Sequence, residues 1–130
     1  TGEFQVKPRE GSTGTMGSRS SLEREVLHWG LVDWVMACDV EGAARAVGGA
    51  VDMEGARDMS VSVIRKLLVE GLVEAGWIVE GEFKRWSGTP AEAADQIEQS
   101  WRDLNGRSVL FGEVCWLNLT DLGESAANDL

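Results

Sequence analysis

His28 is the one histidine in this 130-residue chain, so any imidazole acid–base or metal chemistry would have to run through it. It stands between Leu27 and Trp29, and the sequence places no serine or cysteine beside it. It reads as a packed or half-exposed helical residue. The two thiols, Cys38 and Cys115, have no C-x-x-C spacing, and together with His28 they match no structural zinc pattern. They read as reduced, buried cysteines. Glu80 with Glu82, and Asp121 with Glu124, could be drawn as acid–base pairs. With 22 Asp and Glu in the chain, such neighbours arise by coincidence, and acidic runs are usually solvated faces. The glycine-containing stretch GGAVDMEGA is followed by no Gly-Lys-Ser/Thr, and neither a dinucleotide fingerprint nor a nucleophile elbow occurs. The chemistry-bearing residues therefore point away from an enzyme, from a cofactor and from a metal site.

Charge narrows the partners. The formal net charge is −10, and Lys7, Arg9 and Arg19 leave the first twenty residues slightly positive, so the acidity lies in the remainder. Nonspecific nucleic-acid affinity comes from Lys and Arg neutralising phosphates, which an acidic body opposes unless its cations share one face. No run of about eighteen apolar residues is present, as a membrane span needs, and the N-terminal stretch lacks the apolar core of a signal peptide. The expectation is a cytoplasmic chain without a membrane partner. Six Trp and no Tyr is an unusual aromatic choice. Such rings either fill a core or anchor a partner.

The elements that must position these residues follow from periodicity and caps. Residues 1–20 are rich in Gly, Ser and Thr and read as a flexible tail, with Met16 a candidate start. A single domain is expected over 21–130. Leu27, Leu31, Trp34, Val35 and Cys38 fall on one helical face and predict a first helix from Ser21 to about Cys38. Asp39 caps a short second helix to Val47, and Ile64, Leu67, Leu68 and Leu72 mark a third, over 56–70. WIVEGEF at 77–83 reads as a strand. Thr89-Pro90-Ala91-Glu92 is a capping box with proline at the first helical position, opening a helix to about Leu104. A strand near 114–119 and a last helical turn from Leu122 complete the chain. The fold class is α+β, with three to four helices and a small antiparallel sheet.

Two phrases carry a resemblance. IRKLLVEGLVEAGWI at 64–78, with Gly71-Leu72-Val73, and WLNLTDLGESAA at 116–127, with Leu119-Thr120 and Gly123, resemble the second half of a winged helix-turn-helix domain. The resemblance covers about a third of the chain, through motifs of moderate specificity. The pattern G-x-x-C-W-L-x-x-T-x-x-G at 112–123 is also similar to small actinobacterial proteins, a likeness that implies no activity. A winged domain implies a DNA-reading third helix, which here would present Arg57, Ser62, Arg65 and Lys66, with Glu70 and Glu74 just beyond. Two copies could combine such weak faces in a homodimer. The chain departs from the family in placing the whole 84–113 segment, with its helix, between the two wing strands.

These observations give two function classes. The leading one is a non-catalytic module that binds a protein through an acidic, Trp-containing face, with Trp86, Trp101 and Trp116 as anchors and Glu80, Glu82 and Glu98 around them. The alternative is a winged helix-turn-helix DNA-binding regulator using Arg57, Ser62, Arg65 and Lys66.

Overall fold

Four short polar side chains mark where helices begin. Ser20, Asp52, Thr89 and Thr120 accept hydrogen bonds from the backbone N–H groups of Glu23, Gly55, Glu92 and Gly123, at 3.1, 2.7, 3.1 and 3.0 Å. Each satisfies a donor that the first helical turn leaves open. The computed structural model describes residues 18–130. Its elements are α1 (Ser21–Gly30), β1 (Val35–Met36), α2 (Ala37–Ala46), α3 (Met53–Val69), β2 (Val73–Val79), β3 (Glu82–Arg85), α4 (Pro90–Arg102), β4 (Trp116–Leu119) and α5 (Asp121–Asn128). The fold is α+β, consistent with a small winged-helix-like domain. Among the described residues no helix is long and apolar enough to cross a membrane.

The four strands form one antiparallel sheet in the order β1-β4-β2-β3. β2 and β4 lie side by side, with Val73 opposite Leu119 and Gly76 opposite Trp116, so β4 pairs with residues that precede the strand expected at 77–83. WIVEGEF itself is not one strand. It holds the turn of a hairpin, because Glu80 and Gly81 both take positive φ (52° and 81°) and reverse the chain into β3.

The joint between α3 and the sheet explains the two quoted phrases. Gly71, at φ 78°, ends α3: its N–H reaches the Leu68 carbonyl and that of Leu72 reaches Leu67, both at 3.0 Å. Thr120 closes the other side. Its hydroxyl donates to the Gly71 carbonyl at 2.6 Å, and its N–H donates to the Leu72 carbonyl at 3.0 Å. Gly123 packs so tightly on Leu72 that a β-carbon there would overlap the Leu72 carbonyl oxygen. Gly71-Leu72-Val73 and Leu119-Thr120 with Gly123 are thus the two halves of one clasp.

Several expected boundaries move. The first helix stops at Gly30 rather than near Cys38, so Leu31 is exposed, Val35 enters the sheet and Cys38 belongs to α2. Asp39 is not the cap of α2. It lies inside the first turn, and its carboxylate accepts the Met36 N–H at 3.0 Å. Among the described residues there are five helices rather than three or four, since the expected last turn is a full two-turn α5. Of the expected tail, Arg19 pairs with Glu70 at 2.8 Å and Ser20 caps α1. Residues 1–17, including Met16, lie outside the described residues.

The core gathers Leu22, Val26 and Leu27 of α1, Ile64, Leu67 and Leu68 of α3, Ala94, Ile97 and Trp101 of α4, and Leu117 of β4. Burying the leucines, isoleucines and valine among them contributes about 1.5–3 kcal/mol each, and the shared core fixes α4 against α3.

Candidate functional site

The residues that could have done chemistry are placed apart. His28 is exposed in the last turn of α1. Cys115 is fully buried, and burial alone pushes its thiol up to about 12. Cys38 is half-buried, its thiol raised first by burial and then by the Asp39 charge. A thiol so raised is a poor nucleophile at neutral pH. Asp121 and Glu124 lie in the first turn of α5, where a helix favours anions. Among the described residues no three His, Cys, Asp or Glu side chains converge on a point that could hold a cation.

The cations of the expected DNA face are each held by a carboxylate. Arg57 lies 2.9 Å from Asp58 and 3.6 Å from Glu54, and Lys66 lies 2.8 Å from Glu23. Arg65 reaches across to the inserted helix α4, at 2.9 Å from Asp95 and 3.1 Å from Glu98. Those contacts raise Arg65 above its ordinary value, with the Asp95 hydrogen bond the largest cause. Arg102 first, and Arg65 second, hold Glu98 below the usual carboxylate range. Ser62 is exposed on α3 between these pairs.

The expected protein-binding set also does not form one patch. Trp101 is 2% exposed and belongs to the core, so it anchors no partner. Trp86 is half-buried and packs edge-on to Trp77, with ring centroids 5.3 Å apart. Glu80 stands on the β2–β3 turn, Glu82 pairs with Lys84 at 3.0 Å, and Glu98 is in the arginine network. Of the set, Trp116 alone faces the concavity described next.

That concavity, about 440 Å³, opens where the α1–β1 loop meets β4. Trp29, Trp34, Phe111 and Trp116 wall it, Val32 and Met36 fill its sides, and Asp33 and Asp39 supply its charge. Trp116 is central. Trp34 meets it edge-to-face at 6.4 Å and 89°, and Phe111 meets it at 5.7 Å and 85°. The rings are gathered by packing at Gly30, which seats the end of α1 on the Leu119 side chain. The β1–β4 ladder then sets Met36 opposite Trp116.

Phe111 is held from the other direction. Arg107 forks onto both carboxylate oxygens of Glu113 at 2.8 Å, and Glu113 also accepts the Leu110 N–H at 2.8 Å. Arg107 first, and then the Leu110 N–H, bring the Glu113 carboxyl down to about 2. The strand that follows is entered through Val114 at φ 74°, spanned by a hydrogen bond from the Cys115 N–H to the Glu113 carbonyl at 2.9 Å. A β-branched residue with positive φ is a strained one, and such strain concentrates where geometry matters for function. Clamp and strained turn together aim Phe111 and Trp116 into the same space.

Sequence reasoning missed Trp29, Val32, Trp34 and Phe111. The first three sit in what read as one continuous helix, and Phe111 lies in a segment without periodicity. The usable signal was Gly30 followed by Asp33, a stop and a turn former inside that apparent helix.

Compared with protein-family models, with curated proteins and with solved structures, the chain matches none.

Proposed function

We propose that this chain is a non-catalytic module that binds another protein through the Trp29–Trp34–Phe111–Trp116 concavity. The observation that carries this reading is Phe111. The residue is 77% exposed, yet an ion pair and a backbone hydrogen bond fix its loop beside Trp116. Val32, across the opening, is 87% exposed. Apolar groups held rigidly in water and gathered in one place are characteristic of interaction sites, and aromatic anchors dominate their energetics.

The DNA-regulator reading receives less support. Arg57, Arg65 and Lys66 each already have a carboxylate partner, and the inserted α4 supplies the partners of Arg65. A phosphate would have to displace them against the net charge.

The test compares proteins retained from cell extract by the wild-type chain, by a Val32→Ser/Phe111→Ser double variant and by Val51→Ser. Val51 is 93% exposed but lies outside the concavity, so it controls for lost surface apolarity. Proteins retained by the wild type and by Val51→Ser, but lost with the double variant, are expected. Retention of the same proteins by all three, or of none by any, would leave the concavity without a partner.

A further inference from the structure

We infer that the concavity accepts a methylated ammonium group, carried on a lysine side chain of the partner protein. The inference rests on the protein-binding reading above and names the chemistry that the site selects. Three rings stand at nearly right angles to one another's neighbours, Trp34 and Phe111 each edge-on to Trp116. Rings of different orientation therefore border the same concavity. A cation within about 6 Å of a ring face is attracted by its quadrupole, most strongly when the cation is poorly hydrated.

The charge is complementary. Asp33 and Asp39 line the same concavity, and among the described residues no Lys or Arg does. Among the described residues neither carboxylate makes an ion pair with a Lys or Arg. The aspartates also decide between cations. Asp33 uses one oxygen to accept the Trp34 N–H at 2.7 Å, and Asp39 uses one to accept the Met36 N–H at 3.0 Å. A guanidinium brings five N–H donors to satisfy, and each of these aspartates already shares one oxygen with a backbone N–H. A bare lysine ammonium needs three hydrogen-bond acceptors in place of its water, and the walls are mostly rings. A methylated ammonium needs no such set of acceptors. It needs apolar contact and negative potential, and the site provides both. Val32 and the exposed face of Phe111 extend the apolar surface beyond the rings, which suits a ligand attached to a chain better than a free small cation.

Titrating the whole chain by tryptophan fluorescence tests this. The probes are a blocked pentapeptide with a central trimethyllysine, the same peptide with the uncharged carbon isostere of that side chain, and tetramethylammonium chloride. The expected result is saturable binding of the trimethyllysine peptide, about tenfold tighter than its carbon isostere and tighter than the free cation. Phe111→Ala should weaken it several-fold, since that ring is exposed and its loss leaves the core intact. Asp33→Asn keeps an oxygen for the Trp34 N–H while removing the charge, and should weaken binding about threefold. An unchanged thermal midpoint in both variants separates lost binding from lost folding.

Equal affinity for the carbon isostere would overturn the inference, because the site would then read shape alone. Tetramethylammonium binding as tightly as the peptide would overturn the assignment to a protein side chain. Absence of saturation up to about 10 mM of every probe would overturn the cation chemistry altogether, an affinity below about 3 kcal/mol. Concavity-dependent retention of a partner from extract, alongside any of these results, would leave the protein-binding reading standing and remove the ammonium alone.

Discussion

Gly123 has the Leu72 carbonyl oxygen where its own β-carbon would be. Replacing a helical glycine by alanine ordinarily stabilises, by up to about 1 kcal/mol. Here that gain meets a backbone atom tied to the Thr120 N–H, which cannot step aside as a side-chain tip could. We expect Gly123→Ala to destabilise by about 2 kcal/mol, the scale of overpacking a closed contact, read as a lower urea midpoint. An unchanged or higher midpoint would show the clasp to be loose. Glu113 acts at the same scale but through charge. Its folded carboxyl titrates at about 2 against an ordinary value of 4.5. A depressed acid contributes stability that is present above the ordinary value and lost as pH falls through the folded one. The difference between wild type and Glu113→Gln should therefore be largest at neutral pH and shrink between about pH 4.5 and 2. Arg107 is exposed and Glu113 only half-buried, so the difference is small, and a direct check is the carboxyl's own NMR titration. A midpoint near 4.5 would mean that Arg107 does not hold it, and that Phe111 is not clamped.

At the scale of elements, α4 shows what local sequence can specify. Thr89, Pro90 and Glu92 meet the requirements of a helix start within four residues, and α4 begins where they place it. The first helix shows the opposite. Its apolar period continues through Val35 and Cys38 although the helix has ended, because those residues face the same core from β1 and α2. Periodicity reports a buried face, not an unbroken element. The clasp was legible as a phrase, while its cause, the Gly123 backbone against the distant Leu72 carbonyl, was not. The aromatic concavity was hardly legible at all: Trp34 and Phe111 share no element, and it takes the β1–β4 ladder and the Glu113 clamp to bring both to Trp116. The element pairing also sets an expectation for DNA. Since α4 lies against α3 and gives two carboxylates to Arg65, random duplex DNA should not bind at about 20 mM salt in a fluorescence-anisotropy titration. Binding at that salt that disappears at about 200 mM would show that the α3 cations are free for phosphates.

For the whole molecule the question is which electrostatic term wins. There are 22 acidic and 12 basic side chains, so carboxylates remain in surplus even when every cation is paired. The pairs themselves are mostly at the surface, where each is worth about 0–1 kcal/mol and is screened by salt. The surplus repels itself in the folded state more than in the expanded chain, and salt screens that repulsion too. Because the net charge is of one sign and distributed over a small body, repulsion should outweigh the pairs. Raising NaCl from about 20 to 500 mM at pH 7 should then raise the melting temperature by about 3–6 °C, the equivalent of roughly 1 kcal/mol in a domain of this size. Lowering the pH should act in the same direction at first, as surplus carboxylates take up protons. It should reverse below about pH 4.5, where the paired acids with depressed values, Glu98 and Glu113, begin to lose the charge that their arginines stabilise. A melting temperature that falls with salt at pH 7 would mean that the ion pairs dominate. The arginine network of α3 and α4 would then be the main electrostatic support of the fold, rather than a local arrangement on an acidic surface.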